Sequence, residues 1–70
     1  MNKIGVNIQI RRKLLGYTWT QTKLAKELGT TRAAIGSYEE NRACPNVWML
    51  YNMSKLFGIT IEQLIGKCPY

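Results

Sequence analysis

Residues 21–39 of the chain read QTKLAKELGTTRAAIGSYE. Their apolar residues recur at intervals of three and four, a spacing typical of amphipathic helices. Ala25 is small where two helices would approach closely, and Gly29 supplies a residue that readily adopts a positive φ in a turn. Ile35 and Tyr38 would pin the second helix onto the first. The stretch therefore predicts two short helices that meet across a tight turn.

The ends of these two helices are marked by residues with strong positional preferences. The first helix is expected over about residues 21–28. Thr31 is a good N-cap for the second, which should end near Glu40. Asn41 follows, and asparagine tolerates the left-handed conformation better than other residues that carry a Cβ.

An earlier helix is expected over about residues 3–15, with Ile4, Ile8 and Leu15 on its inner face. A second apolar stripe lies on the opposite face of this helix and consists of Val6, Ile10 and Leu14. Either this stripe contacts a partner chain or an unseen segment, since contiguous exposed apolar residues often mark interaction sites, or its side chains are scattered exposed aliphatics of no consequence.

Two further helices are predicted after residue 45. Asn46 can cap a helix over residues 47–57, which Gly58 would end. The inner stripe of this helix would consist of Val47, Leu50, Met53 and Phe57. Thr60 and Gln63 fit a capping box at the start of a last short helix, which would close the core.

Length and composition limit the architecture to one domain. A chain of 70 residues has room for a single modest core, and 46% hydrophobic residues are enough to form it. We therefore expect an all-α fold of five helices, with residues 1–70 as a single domain.

The charge balance indicates an anionic partner. Ten Lys and Arg stand against four acidic residues, which gives a formal net charge of +6. Such a balance is typical of nucleic-acid-binding domains, although proteins that associate with ribosomes or touch anionic membranes share it. The motif must decide among these partners.

The sequence offers few of the residues that catalysis or metal binding requires. The chain has no histidine, its two cysteines form no CxxC pair, and its four glutamates are scattered. We expect no enzyme activity, no metal and no cofactor. Without a signal peptide or a membrane-length apolar run, a cytoplasmic location is expected.

The pattern Leu-Ala-x-x-Leu-Gly over residues 24–29, followed by Ile-x-x-Tyr-Glu over residues 35–39, closely resembles the helix-turn-helix of the phage repressor and Cro family, also called the XRE-like family. Residues 4–5 and 8–16 look like that family's first helix, residues 45–58 like its fourth and residues 59–65 like its fifth. The resemblance implies a compact lambda-repressor-like DNA-binding domain whose helix-turn-helix spans residues 21–39.

The resemblance also implies roles for individual side chains. Those that would point from the recognition helix into the major groove are Arg32, Ala33, Gly36 and Ser37. Arg32 can donate a bidentate pair to guanine, which makes it the main candidate for sequence specificity. Those that would line the phosphate path are Gln21, Thr22, Lys23, Thr31, Asn41, Arg42 and Asn46. Arg12 and Glu39 match a pair that forms an internal salt bridge in many relatives.

The loop before the helix-turn-helix departs from the family pattern. Tyr17 and Thr18 make it two residues longer than is usual. Thr20 would be the N-cap if the family alignment holds, whereas Thr18 and Gln21 also fit a capping box that would start the helix earlier. Tyr17 either reaches a phosphate or covers the core.

The function that these features indicate is a transcriptional regulator, expected to repress by binding a pseudo-palindromic operator as a homodimer. An alternative is a protein-interaction module, such as an antitoxin or anti-repressor, that holds a protein partner through the stripe at Val6, Ile10 and Leu14. A nonspecific RNA binder is disfavoured because the aromatic residues are not arranged as a stacking surface.

Overall fold

The computed structural model describes residues 4–66, and within that range it contains five helices and no strand. In chain order these are α1 (Ile4–Leu14), α2 (Gln21–Leu28), α3 (Arg32–Glu39), α4 (Val47–Phe57) and α5 (Ile61–Leu64). The all-α prediction is confirmed, and the bounds of α2 and α4 are those expected. The expected start of α1 at Lys3 lies outside the described residues.

Side-chain caps set the starts of the helices. Asn46 Oδ1 accepts a hydrogen bond from Met49 N at 2.8 Å at the start of α4. Thr60 and Gln63 form the predicted capping box before α5, with distances of 3.0 and 3.1 Å. Each cap satisfies backbone donors that the first turn of a helix leaves without a partner.

Of the two starts considered for α2, the one capped by Thr20 is correct. Thr20 Oγ1 accepts from Lys23 N at 3.2 Å, and the helix begins at Gln21. Thr18 does not cap it, and its carbonyl accepts from Thr20 N at 3.0 Å instead. The longer loop therefore adds no turn to α2.

The core lies where α1, α2 and α3 meet α4 and α5. Its buried apolar residues are Ile4, Ile8, Leu24, Ala25, Ile35, Met53 and Leu64. Tyr38, Leu50 and Phe57 are partly buried against this cluster, as their helical positions predict. Asn7 Nδ2 also donates to Leu64 O at 3.0 Å, which joins α1 to α5.

Two residues expected in the core lie outside it. Leu15 is 37% exposed because α1 ends one residue earlier, at Leu14. Val47 is 65% exposed, since at 3.6 residues per turn it lies about 120° around the axis of α4 from Met53. Met49 and Leu56, which lie closer to Met53 around the axis, pack against the core instead.

The second apolar stripe of α1 faces away from the core. Val6 and Ile10 are about half exposed, and Leu14 is 70% exposed. None of the helices between residues 4 and 66 is long and apolar enough to cross a membrane.

Candidate nucleic-acid interface

The turn between α2 and α3 fixes the geometry of the candidate interface. Gly29 has φ 71°, the left-handed conformation that favours glycine, and Thr30 N donates to Ala25 O at 2.9 Å. Thr31 then caps α3, with its Oγ1 accepting from Ala34 N at 3.1 Å. Buried Leu24 and Ile35 hold the two helices together. The orientation of α3 is therefore set by the chain itself.

The exposed side of α3 begins at its first residue, Arg32. Arg32 and Ala33 are exposed, and Ser37 is half-buried. The guanidinium of Arg32 makes no ion pair or hydrogen bond with any part of the chain between residues 4 and 66. All five of its N–H donors therefore lack a partner among these residues, and an external acceptor can meet them.

Gly36, predicted to face the major groove, lies against the start of α2. It is buried, and a Cβ built on it would lie 3.8 Å from Gln21 Oε1. A methyl group would still fit at this position, at an ordinary van der Waals distance from the Gln21 side chain at the start of α2.

A buried polar network joins α1, α2 and the end of α3. Arg12 Nε lies 2.7 Å from Glu39 Oε2, and Arg12 Nη2 donates to Glu39 Oε1 at 3.1 Å. Gln21 Nε2 donates to the same Oε1 at 3.0 Å. A fourth bond runs from Arg12 Nη1 to Trp19 O at 2.9 Å. The side chain of Glu39 is only 3% exposed, so its charge is neutralised inside the protein.

Several residues expected to line the phosphate path already have partners within the chain. Asn41 has φ 59°, as its position after α3 predicts, and its Oδ1 accepts from Gly5 N at 3.2 Å. Arg42 Nε lies 2.8 Å from Glu40 Oε1, and Lys23 Nζ lies 4.8 Å from the centroid of the Trp19 ring. The asparagine amide, the guanidinium and the ammonium each retain N–H donors for an external anion.

The remaining members of the predicted phosphate path lie at or near helix starts. Thr22 is exposed in the first turn of α2, Thr31 and Asn46 are exposed caps, and Gln21 is half-buried. Backbone N–H groups at a helix start carry partial positive charge, which favours anions there.

Two contacts near the site were not expected from the sequence. The amide of Gln21 donates inward to Glu39, and the amide oxygen of Asn41 holds the start of α1. The glycine at position 5 was a sequence signal for the second contact, since glycine inside a helix often marks a close approach of another part of the chain. Between residues 4 and 66, no group of three or more His, Cys, Asp or Glu could hold a metal ion.

Comparisons with known proteins agree on the type of domain. A helix-turn-helix family model matches residues 8–64. The chain is 34% identical over 60 residues to the HTH-type transcriptional activator BcrR of Enterococcus faecalis, and 31% identical over 65 residues to multiprotein-bridging factor 1c of Arabidopsis thaliana. These matches cover 86% and 93% of this chain, but only 29% and 44% of the two relatives, so the chain spans less than half the length of either.

A solved structure has the same fold. The P22 c2 repressor, crystallised in complex with a synthetic operator, superposes with a TM-score of 0.83 at 29% identity, covering 93% of this chain and 96% of that one. With the family model matching most of its length, the chain belongs to the helix-turn-helix family of XRE-type regulators.

Proposed function

We propose that this chain binds double-stranded DNA as a transcriptional regulator and that Arg32 reads the sequence. The observation that carries the proposal is the exposed guanidinium of Arg32 at the first residue of α3, which has no partner between residues 4 and 66 and lies beside exposed Ala33. In helix-turn-helix proteins the first residues of the second helix contact base edges in the major groove. The operator bound by the P22 c2 repressor supports the same use of this fold here.

Small residues beside Arg32 would let the helix enter the groove deeply. Ala33 offers a methyl group to thymine, and Ser37 a hydrogen bond to several bases. Gly36 adds no bulk between them. Specificity would therefore depend mainly on the arginine, which can form a bidentate pair with guanine O6 and N7.

The phosphate contacts would come from the residues around the starts of α2, α3 and α4, which are Gln21, Thr22, Lys23, Thr31, Asn41, Arg42 and Asn46. The net charge of +6 supports a strong electrostatic component. Each neutralised phosphate contributes about −0.9 to the slope of log K against log salt concentration, so affinity should fall steeply with salt.

A single module of this size buries a limited area, so useful specificity requires two copies. We place one copy on each half of a pseudo-palindromic operator, with half-sites about 34 Å apart, and infer repression by occlusion. Selection of bound fragments from random DNA should then return sites with two-fold symmetry and this spacing.

Arg32→Ala tests the proposal. For each half-site, the variant should bind about 5- to 150-fold more weakly, since each copy loses one bidentate base contact worth about 1–3 kcal/mol, and it should lose preference at one base pair per half-site. Arg32→Lys is the matched control, because it keeps the positive charge and removes the planar fork. Equal affinity of the wild type and both variants for selected and scrambled duplexes would contradict the proposal.

A second candidate function rests on the exposed stripe of α1. Val6, Ile10 and Leu14 are apolar and exposed on the face opposite the core, which suits a protein partner of the antitoxin or anti-repressor type. Ile10→Glu would abolish such a complex and leave the melting temperature near that of the wild type. If the variant keeps its self-association and all partner binding, the stripe has no such role.

A further inference from the structure

A cleft lies between the end of α2 and the second half of α4. It has a volume of about 450 Å³ and is lined by Glu27, Leu28, Asn52, Lys55 and Leu56. None of these residues belongs to the proposed DNA contacts. The volume falls within the range of about 300–1,000 Å³ typical of ligand sites, and two leucines give the cleft apolar walls. It is therefore large enough to receive one bulky side chain of another molecule.

The carboxylate of Glu27 gives this cleft an unused hydrogen-bond acceptor. Glu27 is exposed near the end of α2 and makes no hydrogen bond or ion pair with any residue between positions 4 and 66. Lys55, the other charged residue of the cleft, lies over the Tyr51 ring, with its Nζ 5.4 Å from the ring centroid. The cleft therefore suits an apolar group that carries an N–H donor.

Trp48 is such a group, and it lies on the same side of α4 as the cleft. Its side chain is 73% exposed and does not line the cleft. Trp48, Asn52 and Lys55 occupy positions i, i+4 and i+7, which share one face of a helix. Long helical side chains lean toward the N-terminus of their helix, whereas the cleft begins one turn to the C-terminal side of Trp48. The indole therefore leans away from the cleft of its own chain.

A second copy of the chain can bring its indole to this cleft. Lys55 lies about 10 Å from Trp48 along the axis of α4, at 1.5 Å per residue. When two α4 helices pack antiparallel about a two-fold axis near residues 51–52, Trp48 of one copy lies opposite Lys55 of the other. Each copy then supplies one indole and one cleft, so the contact closes as a dimer.

We propose that two copies of this chain meet through α4, each inserting its Trp48 indole into the cleft of the other, with the indole N–H donating to Glu27. This inference rests on the proposed function, because it names the surface through which two copies on an operator touch. Two indoles and the surface that they cover bury roughly 600–1,000 Å², less than the about 1,200–2,000 Å² of a stable interface. The contact is therefore weak between free chains and acts when an operator holds two copies together.

Trp48→Ala tests the contact, with Val47→Ala as the matched control. Val47 is 65% exposed on the same helix but lies about 100° around the axis from Trp48, so its truncation removes apolar surface outside the contact. Binding is measured to a full operator and to a duplex with one half-site. Wild type and Val47→Ala should bind the full operator cooperatively. Trp48→Ala should bind it at least about 30-fold more weakly, the usual effect of truncating a tryptophan anchor, with unchanged affinity for the half-site.

Trp48→Phe and Glu27→Gln test the hydrogen bond separately. The phenylalanine keeps an aromatic ring and loses the N–H donor, whereas the glutamine removes the charge of the acceptor. Each change should weaken cooperative binding about 2- to 10-fold for each of the two symmetric contacts. The double variant should lose less than the product of the two separate effects, because both changes act on one bond. A loss equal to that product would mean that the indole does not meet Glu27.

The outcomes separate this inference from the proposed function. If Trp48→Ala binds as cooperatively as the wild type, or the wild type shows no cooperativity, while Arg32→Ala still loses base preference, the contact is wrong and sequence reading by α3 stands. If the wild type binds no duplex, the proposed function is overturned, and sedimentation equilibrium at millimolar concentration decides the contact alone. A dimer that Trp48→Ala loses would support it, whereas monomers or open-ended assembly of the wild type would overturn it. Trp48 and Glu27 are both exposed, so thermal melting of the variants should match that of the wild type.

Discussion

Replacing Arg12 with methionine should lower the free energy of unfolding by about 3–5 kcal/mol, the range found when one partner of a buried ion pair is removed. The methionine keeps much of the apolar stem but leaves the carboxylate of Glu39, only 3% exposed, with Gln21 as its single side-chain donor among residues 4–66. The carbonyl of Trp19 also loses its donor. The cost arises because a charge stays buried without its counter-ion.

This loss is a large fraction of the domain's total free energy of unfolding. At roughly 0.05–0.15 kcal/mol per residue, a domain of this size has about 4–10 kcal/mol of stability. Chemical denaturation measures the change directly. Arg42→Met is the matched control, because Arg42 and Glu40 are both well exposed and such pairs are worth less than about 1 kcal/mol. Equal losses in the two variants would mean that burial of the pair does not set its contribution.

Gly5→Ala should destabilise the fold by about 1–3 kcal/mol or more, the cost of overpacking a filled contact. A Cβ at this position would lie 2.5 Å from Tyr38 O and 2.7 Å from Glu39 O, and both of these are backbone atoms that cannot rotate away. The helix α1 must then move off the end of α3, which also strains the bond from Gly5 N to Asn41 Oδ1. Alanine is the better helix former by about 1 kcal/mol, too little to offset this.

Gly36→Ala is the matched control for Gly5→Ala, because it makes the same chemical change in a helix with space for it. Its nearest neighbour would be Gln21 Oε1 at 3.8 Å, an ordinary van der Waals distance. The variant should gain about 1 kcal/mol from helix propensity, which raises the melting temperature of a domain this small by about 4–8 °C. The melting temperature should therefore fall in Gly5→Ala and rise in Gly36→Ala. A shift of the same sign in both would contradict the close approach at Gly5.

Features that depend on local chemistry were predictable from the sequence. Thr31, Asn46 and Thr60 cap the helices that they were expected to cap, and Asn41 adopts the left-handed conformation. Each depends on a side chain and a backbone group within a few residues of each other. Such contacts can be inferred without knowing how the helices pack.

Features that depend on packing between helices were not predictable in this way. Periodicity assigned Leu15 and Val47 to the core because it could not give the residue at which α1 ends or the direction from which neighbours approach α4. It also gave no sign that Gln21 would donate to Glu39, or that Asn41 would hold Gly5 across 36 positions of sequence. The base-reading and phosphate-contacting roles remain predictions, since they concern a molecule outside the chain.

The network centred on Arg12 bears on the thermodynamics of recognition. Because it fixes the end of α3 to α1 and to the loop before α2, little conformational entropy is left for the reading helix to lose when a ligand arrives. Preorganisation of this kind lets a small contact area yield a measurable affinity.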